Sequence, residues 1–188
     1  MSSSPPLPVS TDSTPLRIAD DFALPLEAVT ETFAILAKRG AGKTNPAVVL
    51  VEVLLTHGQQ AIVVDPVGVW FGLRAPGTGP GLPVVIIGGE HADLPLAETA
   101  GRELARLLVA ERVSAVLDLS MLSKSVARRL MADFLEELYR RNREPLHLVV
   151  DEADLFAPQW LPRDMTRILG AMDDVVRRGR AHGIGVSR

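Results

Sequence analysis

The chain has 188 residues, 47% of them hydrophobic, a formal net charge of -3 and no cysteine, which suits one folded domain with a buried core. The lack of cysteine excludes a disulfide framework and a thiolate metal site. The slightly acidic balance excludes a global basic field, so any nucleic-acid contact has to come from a local basic segment or from assembly into an oligomer. Residues 1–14 are rich in Ser and Pro, with neither the basic start nor the apolar stretch of a signal peptide; we read them as a disordered tail ahead of a domain over residues 15–188. No apolar run approaches the roughly 20 residues that cross a bilayer. The expectation is a soluble chain without a membrane partner, cytoplasmic by default.

Residues 16–30 mix acidic and apolar types around Pro25 and receive no element. Thr32-Phe33-Ala34-Ile35-Leu36-Ala37 is a short apolar run suited to a strand buried on both faces. A helix is predicted over residues 42–56, ending before Gly58, with Pro46 removing one early N–H bond. Ala61-Ile62-Val63-Val64-Asp65 reads as a second buried strand stopped by Pro66, and Pro83-Val84-Val85-Ile86-Ile87 as a third stopped by Gly88-Gly89. Apolar residues at three and four spacing then run through residues 94–110, followed by a strand at 114–119. Ser123 is the predicted N-cap of an amphipathic helix reaching Arg141 with Val126, Leu130, Phe134 and Leu138 on one face. Leu146-His147-Leu148-Val149-Val150 is the next strand, residues 163–181 the last helix, and Gly183-Ile184-Gly185-Val186 the start of a final strand. Strands alternating with helices predict an α/β domain, a mostly parallel sheet covered on both faces.

Two motifs carry chemistry. Ala37-Lys38-Arg39-Gly40-Ala41-Gly42-Lys43-Thr44 lies between a strand and a helix, and glycines there let several backbone N–H groups converge at the positive end of the helix, a cradle for polyphosphate. The first position is Ala37 where the P-loop pattern has Gly. In this cradle Lys43 neutralises the outer phosphates and the Thr44 hydroxyl ligates the accompanying Mg2+. The second motif is the apolar strand that ends in Asp151-Glu152, at the edge where open parallel sheets bind ligands. Asp151 is expected to hold magnesium through a water, and Glu152 to orient and deprotonate the attacking water.

Other candidates keep two readings each. Asp65 and Asp118 end strands at the same edge and either approach the site or hold the turns that follow. The cluster Arg177-Arg178-Gly179-Arg180-Ala181-His182 either compensates a helix dipole or supplies an arginine to a γ-phosphate, in the same subunit or across an interface. Lys38 and Arg39 are phosphate or DNA contacts or solvated loop charges. Trp70 and Phe71 are read as local packing, and His57, His91 and His147 are too scattered for a metal site. No Asn-Lys-x-Asp segment occurs, which favours ATP over guanine nucleotides.

The segments AILAKRGAGKT, VVDP, LHLVVDEADLFAP and RRGRAHGIGV together resemble the HerA and FtsK group of P-loop ATPases, from Leu16 to the C-terminus. The resemblance implies a three-layer RecA-like core that assembles into a homo-hexameric ring and couples ATP hydrolysis to moving or unwinding DNA. It matches Lys43 and Thr44 to the phosphate and magnesium residues, Asp151 and Glu152 to the Walker B acids, and Arg178 or Arg180 to the basic segment near the interface. Members of the group continue beyond the GIG segment through a full strand ending in a polar sensor; here Val186-Ser187-Arg188 follow. The expectation is therefore a last core strand that is incomplete, in a truncated chain impaired in hydrolysis and in forming a ring. A secretion or conjugation-type ATPase and a nucleotide-binding module with impaired hydrolysis are the alternatives.

Overall fold

The computed structural model describes residues 15–35, 44–74, 81–156 and 165–188, with residues 44 and 45 described by backbone alone. The chain enters through a hairpin of β1 (Leu16–Ala19) and β2 (Phe22–Leu24), in antiparallel register with Leu16 opposite Leu24. A 3-10 turn, Leu26–Thr30, leads to β3 (Thr32–Phe33). Then follow α1 (Thr44–Thr56), β4 (Gln60–Asp65), β5 (Val85–Ile87), α2 (Gly101–Glu111), β6 (Ala115–Asp118), α3 (Lys124–Arg141), β7 (Leu146–Val150), α4 (Thr166–Arg178) and β8 (Ile184–Ser187).

Strands β3 to β8 form a six-stranded sheet in the order β3-β8-β7-β4-β6-β5, with every pairing parallel. Two-residue alternation divides its side chains between two cores. Ile62, Val64, Ala115, Leu117, Leu146, Leu148, Val150, Ile184 and Val186 pack with α2, α3 and α4. Ala61, Val63, Val116 and Val149 face the other way, onto Ala47, Val51 and Leu55 of α1 and onto Trp70 and Leu73. Three layers result, as the alternation of elements predicts. The hairpin, to which the sequence assigned no element, covers the outside of α1: Leu16, Ala28 and Val29 bury against Leu50 and Leu54.

The strand and helix centres fall where the sequence puts them, and the differences have local causes. Residues 94–100 are not helical. Asp93 N–H bonds Ile86 O at 2.8 Å, Gly88 N–H bonds Leu94 O at 2.9 Å, and Asp93 Oδ2 accepts Ile86 N–H at 2.8 Å, so this segment is folded back onto β5. Pro46 lies in the first turn of the described helix α1, where a missing N–H breaks no bond of that helix. Ser123 caps α3 as expected, its Oγ accepting Val126 N–H at 3.4 Å. β8 lies inside the sheet, bonded to β7 on one side and β3 on the other. Ile35 N–H continues that pairing to Arg188 O at 2.8 Å.

Candidate functional site

Parallel strands bring their C-terminal ends to one edge. There Asp65 is directly opposite Asp118, and Val64 opposite Val150, which places Asp151 one residue beyond the sheet. Asp65, Asp118 and Asp151 follow Val63, Val116 and Val149 by two residues, so the pleat carries all three to the face covered by α1. α1 starts at Thr44, directly after the glycine loop, and runs back to the N-terminal edge before β4 begins at Gln60. The start of α1 and the three aspartates therefore share an edge and a face.

Asp151 is held from two sides. Its Oδ2 accepts the indole N–H of Trp70 at 2.9 Å, and its Oδ1 accepts the Glu152 backbone N–H at 2.9 Å. Among the described residues each oxygen keeps a free lone pair, and the carboxylate is half-buried; such a hard oxygen donor at the sheet edge fits magnesium. Glu152 leaves the pleat altogether. Its φ of 44° and ψ of 49° are left-handed, uncommon for a residue with a side chain, and the turn leaves it exposed. Arg128 Nε donates to Leu155 O at 3.1 Å and braces the short 3-10 turn that follows.

Asp65 has a different task. It is fully buried, its Oδ1 accepting the N–H groups of Val67 and Gly68 at 3.0 and 2.8 Å and its Oδ2 that of Trp70 at 2.8 Å. Burial raises its pKa, opposed by these three backbone bonds. Of its two readings, the structure has the one that holds the following turn. Asp118 is likewise buried and caps its own turn, Oδ1 accepting Ser120 N–H at 2.9 Å. Asp118 also borders an open depression of about 440 Å³ with Gly88, Gly89 and Met121, at the β5 and β6 end of the sheet, away from β3.

Ala37, Lys38, Arg39, Gly40, Ala41, Gly42 and Lys43 lie outside the described residues, and Thr44 is described as the first residue of α1. Arg178 and Arg180 are not brought to the aspartates within one chain. Arg178 precedes the turn Gly179–His182 and Arg180 lies within it, at the N-terminal edge, where Arg178 pairs with Asp174 and Arg180 with Glu31 at 3.0 Å. The length of β7, about 16 Å at 3.3 Å per residue, separates that edge from Asp151. His147 is a buried core residue on β7. Val29 O can only accept, so Nδ1–H donates to it at 2.8 Å, and Nε2 accepts the Ser187 hydroxyl at 2.7 Å. Burial lowers its pKa to about 4, with the Val29 bond opposing.

Trp70 is what sequence reasoning missed. It does pack, as expected, yet its N–H reaches the acidic pair 81 residues away. The available signal was that a buried indole needs an acceptor, and that Trp70 follows a strand ending at the same edge as Asp151.

The family model described as Helicase HerA, central domain, matches residues 20–145, well over half of the chain. The chain belongs to this HerA central-domain family. The matched stretch includes the glycine loop and ends before Asp151. No curated protein sequence matches the chain. Among solved structures it is similar to the conjugation coupling protein TcpA of pCW3, in a monomer form with ATPγS. The identity is 18% and the TM-score 0.45, and the likeness covers 88% of this chain and 44% of that one. This HerA-family chain thus spans less than half the length of that neighbour. Among the described residues no helix is long and apolar enough to cross a membrane.

Proposed function

We propose that the domain over residues 15–188 is the nucleotide site of a HerA-type ATPase that couples ATP hydrolysis to movement or unwinding of DNA. The observation that carries the reading is the convergence of a doubly held Asp151 and an exposed Glu152 at the edge and face where α1 starts. In this reading the backbone of residues 37–44 cradles the phosphates, with Lys43 neutralising the outer ones and Lys38 and Arg39 at the rim. Thr44 and Asp151 hold the magnesium ion, which when bound neutralises phosphate charge. Glu152 orients the attacking water and accepts its proton.

Arg178 and Arg180 act in this scheme on the nucleotide of a neighbouring subunit, because their edge of the sheet is remote from Asp151 in the same chain. That assignment requires a ring, the homo-hexamer of the family resemblance, in the cytoplasm where ATP and DNA meet. Phosphate release by the unaltered chain and by Glu152→Gln, with and without duplex DNA, tests the reading. The variant is expected to bind MgATP normally and to hydrolyse it at least 100-fold more slowly. Whatever rate the unaltered chain sustains, DNA should raise it, and robust DNA-stimulated hydrolysis would overturn the expectation that this chain is impaired. Equal hydrolysis by the variant refutes the role of Glu152, and a rate indifferent to DNA refutes the DNA motor while leaving the ATPase. Lys43→Ala is expected to abolish nucleotide binding, measured by calorimetry.

A further inference from the structure

The orientation of Asp151 is not set by its own strand alone. A carboxylate turns freely about its last torsion, which has broad, roughly two-fold preferences, and a metal-holding oxygen is useful only when aimed. Here one oxygen is fixed by the next residue's N–H and the other by Trp70, whose side chain is 2% exposed within the core under α1. Trp70 in turn is not on a free loop. The three N–H bonds to Asp65 include that of Trp70 itself, and β4, which ends in Asp65, is the hydrogen-bonded neighbour of β7. The bonds form one chain: the buried Asp65 carboxylate holds the Trp70 backbone, and the Trp70 indole holds the Asp151 carboxylate.

We propose that Trp70 is a positioning residue for Asp151, its indole N–H aiming the carboxylate at the nucleotide-bound magnesium ion, and that Asp65 acts through it by clamping residues 67–70. The proposal rests on the reading of Asp151 as a metal-holding acid. Groups that orient a metal ligand from behind typically govern 10- to 100-fold of metal affinity. A tryptophan present only for packing would affect folding and leave the magnesium requirement alone.

The test uses Trp70→Phe, which keeps an aromatic ring in the core and removes the donor. Binding of a fluorescent ADP analogue is titrated with magnesium chloride for the unaltered chain, Trp70→Phe, Asp151→Asn and the double variant. Trp70→Phe should bind the analogue normally in EDTA and need roughly tenfold more magnesium for half-saturation. In the Asp151→Asn background the same change should add less than about twofold, since the metal-holding carboxylate that the indole would aim is gone. If Asp151→Asn raises the magnesium requirement and Trp70→Phe does not, the positioning role is overturned and the metal reading stands. If Asp151→Asn itself leaves the requirement unchanged, both are overturned.

Should Trp70→Phe fail to fold, the unaltered side chain supplies the readout. The chain has two tryptophans, so Trp160→Phe assigns the Trp70 indole N–H resonance. Adding magnesium chloride to the ADP-bound chain is expected to shift that resonance, and to leave it in place in Asp151→Asn. A resonance that does not respond in the unaltered chain overturns the proposal.

Discussion

Glu152 is held in a backbone conformation that a glycine adopts without strain and a glutamate does not. Glu152→Gly should therefore leave stability unchanged or raise it by about 1 kcal/mol, a gain of roughly 2–4 °C in Tm by calorimetry, while hydrolysis is lost. A fall in Tm would show that the exposed side chain makes a contact that outweighs the strain. His147 makes the opposite kind of contribution. Its folded pKa of about 4 lies below the ordinary 6.5 because burial excludes the charged ring, so only the unfolded chain takes up this proton between those values. Stability from His147 is full above about pH 6.5 and is lost as pH falls towards 4, by up to about 3 kcal/mol. His147→Asn, which presents a non-titrating N–H to Val29 O, is expected to lower Tm at pH 7 and to flatten its decline between pH 6.5 and 4.5. An unchanged slope in thermal melts would contradict this.

Between elements, the packing of α2 on α3 depends on one missing side chain and one buried acid. A Cβ on Gly101 would come within 2.3 Å of Leu130 O, so Gly101→Ala has to push the start of α2 off α3. Overpacking of this kind costs about 1–3 kcal/mol, to be read from urea unfolding. Glu137, 2% exposed on α3, binds Arg106 of α2 at 2.8 Å, Arg141 at 3.0 Å and Arg140. The Arg106 bond leads in holding its pKa down, to about 2. The carboxylate thus stabilises the fold at all pH values above its ordinary range and loses that contribution only as pH falls towards 2. Arg102 and Arg167 add a second bridge, meeting Asp133 of α3 at 3.2 and 2.6 Å from α2 and α4. These exposed pairs contribute little individually; they join α2 and α4 to one aspartate of α3.

For the molecule as a whole, the placement of Arg178 and Arg180 at the edge opposite Asp151 has a consequence that mixing tests. If these arginines serve a neighbour's nucleotide, an Arg178→Ala, Arg180→Ala chain and a Glu152→Gln chain are each inactive alone. Mixed in equal amounts, they form interfaces with an intact Glu152 on one side and intact arginines on the other. Recovery of about a quarter of the unaltered rate is the order expected for random pairing of two subunit types across an interface. No recovery, with both variants binding nucleotide, overturns the action of these arginines on a neighbour's nucleotide.

The buried strands were legible because each is a short apolar run ended by Asp, Gly or Pro, as in β4 and β7, and α3 because its apolar face recurs with helical spacing behind a Ser cap. The acidic pair was legible for the same reason: Asp151 directly follows such a run. Residues 16–30 were not, since the turn at Asp20-Asp21 and the bonds of β1 to β2 have meaning only once α1 offers Leu50 and Leu54 to cover. The sequence by itself determined the order of elements and the residue types on which the proposed phosphate and magnesium site rests, because periodicity and local backbone chemistry act over a few neighbours. Tertiary structure alone decided that Asp65 and Asp118 hold the turns that follow them, that Trp70 meets Asp151, and that Arg178 and Arg180 lie at the far edge. Those outcomes depend on strand order and on the face each side chain takes, and contacts across 81 residues leave no local trace in the chain.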